Sequence, residues 1–103
     1  MVAKQLCLVE DVSEDEPFQA VIEGYEPFAV FKSNGEIFVM HDKCNHSGAS
    51  LSLEGRVEGR NVICGWHDAT FDLRTGAAVS GPCGGPMTVY PVTIEDGRVL
   101  IEL

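Results

Sequence analysis

Basic side chains are scarce in this chain. Seven Lys and Arg face sixteen Asp and Glu in 103 residues, a net charge of -9. That charge repels phosphate backbones and anionic lipid and would steer the molecule toward basic protein surfaces, so neither nucleic acid nor a membrane is expected as a partner. Long apolar runs are also missing, and no segment is long enough to span a bilayer. Met1 to Glu10 lacks both a basic start with an apolar core and a small-residue cleavage site, so a cytoplasmic, soluble chain is expected. No heptad, internal repeat or sustained 3.6-residue period is present, which argues against a helical architecture. Nor does a glycine-rich fingerprint follow a strand and open a helix, so direct use of a nicotinamide cofactor is not expected. Histidine is limited to three residues.

What is there reads as β-structure. A chain of 103 residues supports one core and one domain. Apolar and β-branched runs predict strands over Gln5 to Val9, Phe18 to Glu23, Phe28 to Lys32 and Glu36 to Met40. Asn34-Gly35 supplies the positive φ of a tight hairpin between the last two. A second hairpin is predicted from Thr88 to Glu95 and Arg98 to Leu103, turning at Asp96-Gly97. Glu14-Asp15-Glu16 reads as a solvated turn. From His41 to Pro86 the texture changes to Cys, His, Gly, Ser and Pro, interrupted by apolar runs at Asn61 to Cys64 and Ala69 to Leu73. The ends therefore read as a β-scaffold, and the middle as a loop-rich insert that carries the site.

The chemistry is concentrated in two short segments. Cys44-Asn45-His46 is followed, after seventeen intervening residues, by Cys64-Gly65-Trp66-His67. Each segment offers one thiolate and one imidazole, so two loops could close on a metal centre from opposite sides. Structural zinc would take all four ligands in one tetrahedron, whereas an asymmetric iron-sulfur centre would place the thiolates on one iron and the imidazoles on the other. The one-residue gap in the first pair is short for zinc, whose paired ligands are usually separated by two to four residues.

Cys44-x-His46 with Cys64-x-x-His67 resembles the ligand pattern of Rieske 2Fe-2S proteins. The likeness extends through His46 to Ser52, Gly59 to Cys64, Phe71 to Gly76 and Tyr90-Pro91-Val92. In length and flanks the chain is similar to the small ferredoxins of bacterial aromatic-ring-hydroxylating dioxygenase systems. The resemblance implies an all-β, Rieske-like antiparallel sandwich or barrel over residues 1–103, with an inserted cluster-binding subdomain at 41–86. It also implies one 2Fe-2S cluster, with Cys44 and Cys64 on one iron and His46 and His67 on the other.

Departures from the respiratory members of that family bear on potential. Ala49 and Trp66 stand where those proteins carry two further cysteines, and Ala69 and Phe71 stand where they carry serine and tyrosine hydroxyls. The missing donors imply a potential near the low end of the Rieske range, roughly -150 mV. Asp68 reads as a turn carboxylate bonded to nearby backbone, and Cys83 as a packed bystander thiol in a third loop stiffened by Pro82 and Pro86. Trp66 reads as a cover over the loops, Cys7 as core, and His41 as a partly exposed scaffold histidine.

With four side chains committed to a cluster, only His41 is left, too few for a mononuclear iron held by two histidines and a carboxylate. The resemblance therefore implies an electron carrier and no enzyme. Its implied partners are a flavoprotein ferredoxin reductase and a terminal oxygenase, met transiently by a monomer. Two other readings stay open: a small Rieske-type subunit of a nitrite reductase, and a colourless, zinc-stabilised interaction module.

Overall fold

The computed structural model describes residues 2–44, 48–65, 68–81 and 85–103. The fold is organised around one strand that is apolar on both faces. In β3 (Phe28–Ser33), Phe28, Ala29, Val30 and Phe31 are all buried. A strand with one wet face would alternate, so an unbroken apolar run requires cover on both sides. β3 pairs antiparallel with β4 (Glu36–His41) and β2 (Phe18–Ala20), and β4 pairs with β9 (Val89–Tyr90), forming a middle sheet ordered β2-β3-β4-β9.

Each face of that sheet packs on a different layer. Phe28 and Val30 of β3, with Ile37 and Val39 of β4, join Cys7, Val99 and Ile101 from an outer sheet of β1 (Ala3–Leu8), β11 (Arg98–Glu102) and β10 (Thr93–Glu95). Ala29, Phe31 and Met40 point the other way. They pack with Cys44, Leu51, Val62, Cys64 and Phe71 of the segment between the scaffold halves. The protein is a stack of three antiparallel sheets with two cores that meet back to back across the middle sheet.

Both expected hairpin turns form. Asn34 and Gly35 have φ of 51° and 78°, and Asp96 and Gly97 have 49° and 73°, as the tight two-residue turn requires. Glu14 is more than a solvated turn residue: its carboxylate accepts from the N–H groups of Asn34 and Gly35 and so fastens the N-terminal strap to the β3–β4 turn. The predicted Thr88 to Glu95 strand is split at Pro91. Its first part joins the middle sheet as β9, and its second pairs with β11 as β10. Proline has no N–H to continue a ladder, and the chain changes sheets there.

The segment from His41 to Pro86 holds more regular structure than its composition suggests. A short helix, α1 (Leu51–Glu54), leads into β5 (Gly55–Glu58), β6 (Asn61–Cys64), β7 (Thr70–Asp72) and β8 (Ala78–Ser80), which pair in chain order as an antiparallel sheet. Side-chain contacts help fix this sheet to the scaffold. Ser33 Oγ donates to the Gly59 carbonyl at 2.8 Å, and Arg74 Nη2 lies 3.3 Å from Glu36 Oε1. No helix among the described residues is long and apolar enough to cross a membrane.

Candidate metal centre

Cys44 and Cys64 open two loops with the same backbone plan. Cys44 N–H donates to the Ala49 carbonyl at 2.8 Å, and Gly48 N–H returns to the Cys44 carbonyl at 2.9 Å. Cys64 N–H donates to Ala69 at 2.8 Å, and Asp68 N–H returns to Cys64 at 3.1 Å. Each loop thus closes from a cysteine to an alanine five residues on, with the fourth residue after the cysteine at positive φ, 77° for Gly48 and 57° for Asp68. Both cysteines are buried in the core shared by the middle sheet and the β5–β8 sheet.

The loops are held close by positions without side chains. A Cβ on Gly65 would lie 2.1 Å from the Glu54 carbonyl oxygen, so the second loop sits flush on the end of α1. A Cβ on Gly81 would meet the Asp68 carbonyl oxygen at 2.7 Å, which sets the start of the third loop against the second. A larger residue at Gly65 would push the second loop off α1, and one at Gly81 would part the third loop from the second.

The first loop rests on a buried carboxylate that sequence reasoning missed. Asp42 accepts from Ser50 Oγ at 2.6 Å, Ser52 N–H at 2.7 Å and Gln19 Nε2 at 3.0 Å, while its carbonyl takes the Leu51 N–H at 2.7 Å. Ser50 is also the N-cap of α1. Burial on its own would raise the Asp42 carboxyl, but the Ser50, Gln19 and Ser52 donors outweigh it and hold the group below the usual carboxylate range. Nothing in the local sequence distinguishes this aspartate from a solvated one. Its importance comes from Gln19, 23 residues away.

Asp72 plays a comparable part in the turn before β8. Its Oδ1 accepts from the N–H groups of Thr75 and Arg74, which keep its carboxyl low. The Asp68 carboxylate lies 3.7 Å from Arg56 Nη2 and is largely exposed. His41 is a partly exposed scaffold residue, as expected, with Nε2 3.0 Å from Glu26 Oε2. Cys7 is core, and burial followed by the nearby Asp11 charge pushes its thiol up to about 11. The expected ligands His46 and His67 lie outside the described residues, as do Trp66, Pro82 and Cys83.

The donor set suits an iron-sulfur group. Two core-facing thiols stand at the heads of twinned loops, each loop carries one histidine in its sequence, and the surrounding core is apolar. The family model for the Rieske 2Fe-2S domain matches residues 3–91. The chain belongs to the Rieske 2Fe-2S family. As a Rieske protein it carries one 2Fe-2S cluster, which supplies a reversible one-electron couple.

Its relatives include ferredoxin components of dioxygenase systems. The ferredoxin component of the p-cumate 2,3-dioxygenase system of Pseudomonas putida is 39% identical over 98 residues, covering 95% of this chain and 83% of that protein. Among solved structures, a ferredoxin of Sphingomonas yanoikuyae B1 superposes with a TM-score of 0.93 at 39% identity, covering 99% of both chains. A chain from the complex of reduced oxygenase and oxidised ferredoxin in carbazole 1,9a-dioxygenase superposes with a TM-score of 0.88 at 29% identity, covering 97% of this chain and 92% of that one. The p-cumate relative is the ferredoxin component of its dioxygenase system, an electron-carrier role.

Proposed function

We propose that this protein is a soluble, cytoplasmic Rieske ferredoxin. It takes one electron at a time from a flavoprotein reductase and delivers it to the terminal oxygenase of an aromatic-ring-hydroxylating dioxygenase system. Cys44 and Cys64 hold one iron of the cluster, and His46 and His67 hold the other. Residues 1–103 act as a single Rieske domain in which 41–86 is the cluster-binding subdomain, and the protein works as a monomer that meets each partner transiently. The observation that carries this reading is the pair of twinned loops with Cys44 and Cys64 buried at their heads. The relatives that are ferredoxin components of dioxygenase systems supply the reaction class.

Within this reading the chain's own residues do three things. The apolar core around the cysteines keeps water from the thiolates. The Asp42 hydrogen bonds fix the first loop to the scaffold, Gly65 lets the second loop close on α1, and Gly81 lets the start of the third close on the second. Visible absorption and low-temperature EPR before and after dithionite test the proposal. A red-brown protein whose reduced form gives a rhombic signal with average g below that of an all-cysteine 2Fe-2S ferredoxin is expected. A colourless zinc protein after anaerobic purification and cluster reconstitution would overturn it.

A further inference from the structure

The two hairpin turns of this molecule share a backbone shape and differ in chemistry. Asn34-Gly35 and Asp96-Gly97 each pass through two successive positive φ values, 51° and 78° in the first and 49° and 73° in the second. An Asn-Gly step is the sequence in which a backbone nitrogen most readily attacks the side-chain amide before it, because glycine leaves that nitrogen unhindered. Asn34 and Gly35 are both exposed, and a Cβ on Gly35 would meet nothing within 4 Å. The Asn34 side-chain amide makes no hydrogen bond among the described residues.

The N-terminal strap, residues 9–17, lies against the first of these turns. Asp15 N–H donates to the Lys32 carbonyl at 2.8 Å, and Val12 is buried in the core of the outer sheet. Glu14 Oε1 accepts from the Asn34 N–H, and Glu14 Oε2 accepts from the Gly35 N–H at 3.3 Å. The Gly35 nitrogen is the atom that would attack the Asn34 amide, and it must first lose its proton. A carboxylate seated on that N–H opposes the loss, since a negative charge disfavours the making of another beside it. It also pins the peptide, which has to rotate toward its own side chain for a ring to close. Among the described residues no carboxylate takes the Gly97 N–H of the second turn.

We propose that Asn34 is a site of spontaneous hydrolytic modification and that Glu14 is its guard. In the reaction the Gly35 nitrogen gives up its proton and bonds to Asn34 Cγ, while the Cγ–Nδ2 bond breaks and ammonia leaves. Water then opens the cyclic imide at one carbonyl or the other, which yields an aspartate or an isoaspartate with no change of oxidation state. The reaction waits on opening of the strap, a local event that costs less than global unfolding. Its product keeps the strap from returning. Either product puts a second carboxylate on the residue whose N–H had held Glu14, and the isoaspartate also lengthens the backbone of the turn by one carbon. Because Val12 belongs to the same strap, a brief opening becomes a lasting loss from the outer core. The site lies on the scaffold and is independent of the electron-transfer function proposed above.

The test incubates the holo-protein in mildly alkaline buffer and follows Asn34 by peptide mass mapping, with chromatography separating the aspartate and isoaspartate peptides. Glu14→Ala should speed conversion of Asn34 at least fivefold. Asp96→Asn makes a second Asn-Gly turn of the same φ values with no guard and leaves the strap untouched. In that variant position 96 should convert at least fivefold faster than Asn34, whereas in urea the two positions should agree within twofold. Asn34→Asp should raise cleavage after Glu16 by a glutamate-specific protease at least threefold. No conversion of Asn34 in Glu14→Ala would overturn the site. Rates within twofold at the two turns of folded Asp96→Asn, or slower conversion in Glu14→Ala than in wild type, would overturn the guard. Unchanged cleavage in Asn34→Asp would overturn the lasting release of the strap. Glu14, Asn34 and Asp96 are all exposed, so each variant should fold, and a retained circular dichroism spectrum checks this.

Discussion

Gly48 and Asp68 hold the same place in two different loops. Each donates its N–H to the carbonyl of the cysteine four residues before it, and each does so at positive φ. Glycine enters this region without steric cost, and aspartate is among the few other residues that visit it routinely. Asp68→Gly should therefore leave stability within about 0.5 kcal/mol, while Asp68→Ala and Gly48→Ala should each cost about 1–2 kcal/mol in urea unfolding of the holo-protein. Equal stabilities for Asp68→Gly and Asp68→Ala would mean that the backbone here is not strained.

The ligand assignment separates the three histidines. His46→Ala and His67→Ala should lose the rhombic EPR signal, as should Cys44→Ala and Cys64→Ala. His41→Ala should keep it, because His41 meets Glu26 on the scaffold. A bleached His41 variant would require a different ligand set.

Asp42 should dominate the acid sensitivity of the loop layer. Removing it leaves the Ser52 N–H and Gln19 amide without their acceptor in a part-buried site, so Asp42→Ala should cost about 2–3 kcal/mol. Its carboxyl, like that of Asp72, is lowered in the folded state. The stability each contributes is present above the ordinary carboxylate pKa and is lost as pH falls through the depressed folded value. Unfolding monitored from pH 5 downward should show a steep loss below about pH 4 that is blunted in Asp42→Asn.

Cys7 should behave in the opposite sense. Its folded thiol titrates at about 11 against an ordinary value of 9.0. The stability it contributes is complete below pH 9 and declines as pH rises toward 11, where only the unfolded chain is readily ionised. Iodoacetamide at pH 8, followed by peptide mass mapping, should leave Cys7 unmodified in the native protein and modify it after denaturation.

The parts of this molecule legible in its sequence are those set by local chemistry. Asn34-Gly35 and Asp96-Gly97 announce their turns because few other pairs tolerate two successive positive φ values. The cysteine and histidine spacing pointed to the family because each loop is a short continuous segment. By contrast, α1 spans only four residues and cannot show a helical period, and its start is set by Ser50 as cap. β8 is exposed at all three positions and leaves no alternating pattern, while β5 begins with glycine and carries two charged residues. Asp42 was invisible for a different reason: its donors come from Gln19 on β2 and from Ser50 and Ser52, brought together by the fold.

The unbroken apolar run of β3 bears on the speed of electron exchange. Phe28 and Val30 are gripped by one core, and Ala29 and Phe31 by the other. A sheet clamped on both faces has no free side toward which to yield, and close-packed interiors are poorly compressible. The layer that carries Cys44 and Cys64 therefore sits on a stiff support and can shift little when the charge it holds changes. Less nuclear rearrangement means a smaller reorganisation energy for the one-electron couple that the cluster supplies.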